Sequence, residues 1–325
     1  MKIGNIPLKH GIMLAPMAGF SDYAMRRVAH ECGAEYTVTE MVSAKAVVYG
    51  DKKTRALARI TADEGAVALQ IFGSEPSIMA EAAARLVEEE NGGTPPAAID
   101  INMGCPVHKV FSNGEGSALM RSPELIHSIT RAVSKSIIIP CTVKMRLGID
   151  RAHINATECA LAAEEGGAAA ICLHGRTRVE MYAGRADMEE VAKVKSSLHI
   201  PLIANGDICT ADDAVRVLSE TGADGIAVGR GAIGNPFVFS EIKARLEGVE
   251  YIPPTLDERI RCALLQLTLA VSEKGEGIAV REARKQIALY FKAFRGAAEL
   301  RAAINRAETE DDVRLALENI KNEQN

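Results

Sequence analysis

Cys105 sits between Gly104 and Pro106 in a segment, residues 102–106, that directly follows an apolar run at residues 97–101 read as a buried strand. A cysteine on a short rigid turn past a strand end can aim its thiol into whatever pocket the strand opens onto. Asn102 lies beside it and offers both an amide donor and a carbonyl acceptor. The chemistry this pairing suggests is that of a thiol held over a bound molecule. The plain alternative is a loop cysteine that only packs. The rest of the chain decides between them.

Lys144 is flanked by Val143 and Met145 in a second apolar run. Unpaired lysines are rarely buried. One that faces a barrel mouth needs an anion or a polarised oxygen, such as a reduced flavin ring with charge near nitrogen 1. Ala15-Pro16-Met17-Ala18-Gly19 combines a proline with small residues, which lets backbone come close to a flat ligand, and Gln70 could address that ligand's polar edge. Gly229-Arg230-Gly231-Ala232-Ile233-Gly234 fits the GxGxxG spacing. A dinucleotide fold would need a βαβ unit and an acidic residue about twenty residues on, but helix and then Pro253 follow. In a barrel, the turn after the eighth strand, with a short helix pointing inward, recurrently holds phosphate. Asn205-Gly206-Asp207 supplies the neighbouring turn after the seventh strand, and Arg230 adds charge. His174-Gly175-Arg176-Thr177-Arg178 ends the sixth strand, as a structural histidine or as part of an anion-binding rim. No HExxH, paired-cysteine or carboxylate-cluster spacing points to a metal, and no GxSxG elbow is present.

The elements that must position these groups alternate along the chain. Apolar runs predict strands at residues 12–15, 36–41, 67–72, 98–102, 140–146, 169–174, 201–205 and 225–229. Amphipathic stretches predict helices between them at 23–31, 76–90, 123–134, 152–165, 188–196 and 211–221, and the segment around 51–54 is the weakest helix. Such alternation fits either an open doubly wound sheet or a closed (β/α)8 barrel. Eight strands favour closure, and nearly every strand ends in a group able to do chemistry, as the catalytic rim of a TIM barrel does. After Pro253-Pro254 only helical pattern remains, at 256–273, 279–294, 297–306 and 310–322. The expected class is thus α/β: a TIM barrel over residues 1–250, followed by a smaller all-helical domain over 251–325. In the tail, spacings of three, four and seven place Arg281, Arg284, Lys285 and Lys292 in neighbouring sectors of one helix. That makes either a solvated face or a surface for a polyanion.

Composition bounds the rest. The 325 residues carry 47% hydrophobic and 25% charged residues, ordinary for a globular chain with ample core. Seven scattered cysteines, an odd number without paired spacing, argue against a disulfide framework or structural zinc and for a reducing compartment. No signal-type or bilayer-spanning apolar stretch is present, so the expected location is the cytoplasm, with no membrane partner. The net charge of −5 argues mildly against nucleic-acid binding, but a local basic face can coexist with it.

Together these motifs resemble the tRNA-dihydrouridine synthase family, particularly its bacterial B type. The resemblance runs through LAPMAG, Gln70, DINMGCP, VKMRLG, LHGRTR, ANGDI and VGRGAIGNP, then KQIALYFKAFRGAAELRAAIN in the tail. It implies an FMN-binding barrel, a helical tRNA-binding domain, and reduction of a uridine carbon 5–carbon 6 double bond driven by NADPH (or NADH). Carried over, it implies Ala15, Pro16 and Met17 along the flavin ring and Gln70 and Lys144 at its polar edge. It puts Asn205, Gly206, Asp207, Gly229 and Arg230 on the phosphate side. Cys105 matches the catalytic acid, Asn102 a residue contacting uracil, and His174 and Arg176 the cofactor and substrate rim. Arg284, Lys285 and Lys292 are the candidate contacts to tRNA. One departure is visible: His108 stands where many members carry a lysine after the Cys-Pro pair. A thiol near its usual value of about 8.5 stays protonated at neutral pH and can deliver a proton to carbon 5 opposite the hydride. Rival readings are a flavin barrel acting on a free pyrimidine, a phosphate-binding barrel without flavin, and a non-catalytic RNA-binding protein. The sequence does not fix the oligomeric state, and a monomer is the working expectation; which tRNA uridine is reduced is also left open.

Overall fold

Eight parallel strands close into a barrel because nearly every strand residue is buried on both faces and each strand is followed by a helix that covers its outside. The computed structural model describes residues 1–88, 94–292 and 294–324. The barrel strands are β1 (Ile12–Leu14), β2 (Tyr36–Val38), β3 (Val67–Phe72), β4 (Ala98–Met103), β5 (Cys141–Arg146), β6 (Ala170–His174), β7 (Leu202–Asn205) and β8 (Gly225–Val228). Each pairs in parallel with the next, β8 pairs with β1, and β2 pairs with β3, which closes the ring. The expected (β/α)8 architecture is therefore present, with a helical C-terminal region.

The sequence pattern missed an antiparallel hairpin, Lys2–Ile3 with Ile6–Pro7, too short to show a period. Its Ile3 packs with Leu8, Met13, Tyr36 and Ile203 inside the barrel floor, sealing the end away from the strand tips. The second strand is shorter than expected. The chain leaves it at Thr39, and Val42–Ser43 rejoins β3 at Ile71–Phe72. The intervening Glu40 turns to accept a hydrogen bond from the Gly19 N–H, and Met41 faces the barrel mouth.

The expected 152–165 helix begins only at Ala156, because Asp150 Oδ1 takes the Ala152 N–H and Gly148 bridges to Ile154. The last two residues of the expected 76–90 helix lie outside the described residues. The short helix expected after β8 is a single 3-10 turn, Arg230–Ala232, and the α-helix Val238–Glu247 starts only beyond Pro236.

The C-terminal region has its own apolar cluster around Leu267, Ile287, Tyr290, Phe291, Leu300 and Leu317. Its helices are Leu256–Lys274, Glu276–Gln286, Ala297–Arg306 and Glu310–Gln324. Thr255 opens the first with a reciprocal capping box to Glu258. The continuous helix expected over 279–294 does not form: it ends at Gln286, and Ile287–Phe291 tightens into a 3-10 segment that buries Ile287, Ala288, Tyr290 and Phe291. Packing of those four side chains overrides the helical period, so Lys292 does not share a helix with Arg281, Arg284 and Lys285.

Candidate active site

The C-terminal tips of the strands surround a cavity of about 450 Å³, within the range that encloses a cofactor-sized ligand. Register explains the convergence. Asn102 on β4 lies opposite Lys144 on β5, Arg146 opposite His174 on β6, and His174 opposite Asn205 on β7. Side chains two apart on a strand share a face, so these groups enter the mouth together. Ala15, Pro16, Met17, Gln70, Asn102, Cys105, Lys144, His174, Asn205, Gly206, Asp207, Gly229 and Arg230 all line the cavity.

Two hydrogen-bond systems hold the wall. On one side Gln70 Nε2 donates to Asp100 Oδ2 at 2.7 Å, and Asn102 Nδ2 donates to Gln70 Oε1 at 2.9 Å. Thr142 Oγ1 donates to the other oxygen of Asp100 at 2.6 Å. On the other side Lys144 Nζ donates to Asn205 Oδ1 at 3.1 Å, and Asn205 Nδ2 donates to the Ala227 carbonyl at 2.7 Å. Burial pushes the Lys144 ammonium below the usual lysine value. Asp100 went unread in the sequence, although a carboxylate inside an apolar strand was itself a signal, since buried charges need partners.

Arg176 is placed behind the wall. It is 1% exposed and does not line the cavity. Its guanidinium binds both oxygens of Asp207 at 2.8 Å, the Ala183 carbonyl at 3.0 Å and the Gly184 carbonyl at 2.7 Å. Its Nη1 also lies 3.4 Å from His174 Nε2. An arginine only donates, so that nitrogen of His174 accepts. Burial first, then Lys144, Arg146, Arg176 and Arg230, hold His174 far below the usual histidine value, so its ring is neutral.

Asp207 lines the cavity, and its carboxylate accepts from Arg176 and from the Ala186 N–H at 2.8 Å. Burial raises its carboxyl, but that N–H and the two arginines outweigh it and leave it below the usual range. Gly206 has φ +126°, and a Cβ there would stand 2.8 Å from Ala186 Cβ and 3.1 Å from His174 Cδ2. Gly206→Ala is accordingly expected to cost about 1–3 kcal/mol of stability, seen as a lower Tm together with loss of ligand at the mouth. An unchanged Tm would contradict the strain.

Cys105 is half-buried on the turn after β4. Its carbonyl accepts from Ser117 Oγ at 2.8 Å. Arg146, at the tip of β5, clamps the turn. Its Nε donates to the Gly104 carbonyl at 2.9 Å, and its Nη1 donates to the Thr177 and Met181 carbonyls at 2.9 and 3.0 Å. Burial pushes the Cys105 thiol up, against the Val107 N–H and the charges of Arg146 and Lys144. The thiol is therefore protonated at neutral pH and beyond. The helix that follows, His108–Ser112, leaves His108 and Lys109 exposed.

Beyond the mouth, Phe20, Arg230 and Ile233 continue into an open cleft of about 550 Å³ against the helical region, lined also by Arg259, Lys285 and Lys292. Lys285 and Lys292 are exposed there. Arg284 does not line this cleft: its Nη2 donates to the Ala307 carbonyl at 2.9 Å, tying two helices together. Because the expected short helix is a single 3-10 turn, a group held near Gly229 and Arg230 would meet turn N–H groups and the Arg230 guanidinium rather than a helix dipole. Among the described residues no group of three or more His, Cys, Asp or Glu side chains could hold a metal ion, and no helix is long and apolar enough to cross a membrane.

The chain was also compared with known proteins. The family model for dihydrouridine synthase (Dus) matches residues 13–325. The tRNA-dihydrouridine synthase B of Vibrio cholerae is 39% identical over 319 residues, covering 98% of each chain. That of Pseudomonas aeruginosa is 37% identical over 312 residues, covering 96% of this chain and 92% of its own. Among solved structures, histamine dehydrogenase from Rhizobium sp. 4-9 aligns with a TM-score of 0.57 at 14% identity, over 83% of this chain and 50% of that one, a likeness of fold alone.

Proposed function

The chain belongs to the dihydrouridine synthase family, and from that premise we propose that it is an FMN-dependent, NADPH-using tRNA-dihydrouridine synthase with Cys105 as its proton donor. The observation that carries this reading is the meeting of the half-buried Cys105 thiol with Lys144 at one cavity on the barrel rim, where burial favours the protonated thiol. The residues suit FMN. Ala15, Pro16 and Met17 make a small apolar wall next to Gly229. Lys144, Gln70 and His174 supply donors for the polar edge of the ring, and Arg230 with the turns at Gly206 and Gly229 supplies charge and N–H groups for the phosphate. When bound, FMN would supply the hydride for uridine carbon 6, renewed by NADPH or NADH.

The chain's own residues do the rest. Asn102 orients the uracil, and the Cys105 thiol gives its proton to carbon 5 and regains one from water. Arg146 and Ser117 hold the cysteine turn still, and Arg176 and Asp207 brace the opposite wall. The target base must leave its stack to enter, at a cost of about a few kcal/mol, which contacts to the tRNA phosphates would offset. The helical region from about residue 251 would supply part of that surface, with the protein working as a monomer in the cytoplasm.

Incubation of an unmodified tRNA transcript with protein, FMN and NADPH should add two hydrogens to a uridine, read by nucleoside mass spectrometry. Reduction of free uridine but not of tRNA would overturn the substrate. Replacing Lys285 and Lys292 together by glutamate should raise the apparent tRNA KM about tenfold and flatten its logarithmic salt slope by roughly 1.5–2, as losing two phosphate contacts does. NADPH oxidation without tRNA should not change. An unaltered salt slope would remove both residues from the tRNA surface.

A further inference from the structure

A chain of side-chain hydrogen bonds runs from the barrel interior to the turn that carries Cys105. At its outer end the donors are backbone: the Gly104 and Cys105 N–H groups reach Asn102 Oδ1 at 3.2 and 2.9 Å. A backbone N–H cannot accept, so the atom facing both must be the amide oxygen. Asn102 Nδ2 then donates to Gln70 Oε1 at 2.9 Å, and Gln70 Nε2 donates to Asp100 Oδ2 at 2.7 Å. Thr142 closes the inner end on Asp100 Oδ1. Asp100 is 4% exposed and Gln70 1%. Turning either amide over would set N–H against N–H at the turn or oxygen against a buried carboxylate at Asp100. At the Asp100 end both groups are buried, so bulk solvent does not reach that clash.

We propose that Asp100 is a positioning residue that, with the N–H groups of the cysteine turn, locks both amides in one orientation, so that Asn102 meets the reacting ring as a hydrogen-bond donor only. The proposal rests on the dihydrouridine reading above and deepens it. An amide oxygen has two acceptor sites, and both at Asn102 are filled. An amide nitrogen has two hydrogens, and one remains for the cavity that Asn102 lines. This wall therefore takes a pyrimidine that presents a carbonyl oxygen and disfavours one that presents an amino group, as uracil and cytosine differ at carbon 4.

The test exchanges the two groups. Asn102→Asp alone removes the donor to Gln70 and leaves the Gln70 amide between two carboxylates. Adding Asp100→Asn lets Gln70 turn over: its nitrogen donates to the carboxylate now at position 102, and its oxygen accepts from the amide now at position 100. The chain is then complete in reverse, with unchanged net charge, but position 102 can only accept. Tm and flavin content of each purified full-length variant report on the chain, and tRNA uridine reduction reports on the donor. Asn102→Asp should lower Tm by about 5 °C or more, and the exchange should recover at least half of that loss. The exchanged protein should nevertheless reduce uridine about a hundredfold more slowly than wild type. Asp100→Asn alone, whose amide can still accept from Gln70 and donate to Thr142, should lose far less. An exchange no more stable than Asn102→Asp alone overturns the locked chain. An exchange that restores uridine reduction overturns the donor assignment. If the wild-type protein reduces no uridine while the stability pattern holds, the substrate reading fails and only the carbonyl selection falls with it.

Discussion

Cys105→Ala is expected to give a protein that keeps its flavin, is bleached by NADPH at the wild-type rate, and returns to the oxidised spectrum on tRNA at least about a hundredfold more slowly. Positioned acids contribute about 10² to 10⁴ in rate, and the turn offers no second proton donor of similar reach. Lys109 and His108, the nearest titratable side chains in sequence, are exposed on the following helix. The same assignment fixes a pH dependence. Burial raises the thiol above the usual cysteine value, and the active form is the protonated one. The tRNA half-reaction should therefore hold through neutral pH and fall only on an alkaline limb above the usual thiol range. His174, held neutral by burial and four cations, should add no limb between pH 5 and 8. Stopped-flow traces at several pH values decide both points. A Cys105→Ala protein that reoxidises at the wild-type rate would remove the acid from this turn.

The second large effect is expected at Lys144. Lys144→Met removes the cation at the mouth and the donor to Asn205 while keeping most of the volume. A half-buried ammonium beside a ring that gains negative charge is worth about 1.4–2.8 kcal/mol, so the flavin midpoint potential should drop by roughly 30–60 mV for a two-electron couple. Reduction by NADPH should slow in step, with partial rescue by Lys144→Arg. Because burial lowers the Lys144 value, its protonated form is lost as pH rises through a point below the usual 10.5. The NADPH half-reaction should therefore show its own alkaline limb, one that vanishes in Lys144→Met. A dye-equilibration titration that finds an unshifted potential would detach Lys144 from the ring.

The barrel was legible because its physics is local: continuous apolar runs, polar strand ends and glycine turns recur at the right spacing, and all eight strands were found to within a few residues. The cavity lining was legible for the same reason, since a residue at a strand tip has few other places to go. Orientation was not legible. His174 and Arg176 are two apart in sequence, yet one faces the cavity and the other folds back onto Asp207 and two carbonyls. That choice depends on partners tens of residues away. Asp100 was passed over for a related reason: both faces of a barrel strand are buried, so alternation cannot say which side chains meet inside. In the tail, spacing placed Lys292 on the helix of Arg284, but burial of Tyr290 and Phe291 broke that helix. Arg284 donates to the Ala307 carbonyl and does not line the cleft that Lys285 and Lys292 share.

The most direct test is an anaerobic spectrum of the purified protein, reduced with one equivalent of NADPH and then mixed with unmodified tRNA. Bleaching of a flavin band, followed by its return in step with dihydrouridine formed in the same sample, is the expected result. A band that bleaches and stays bleached with tRNA, but returns with a free pyrimidine, would contradict the assignment of tRNA as the substrate.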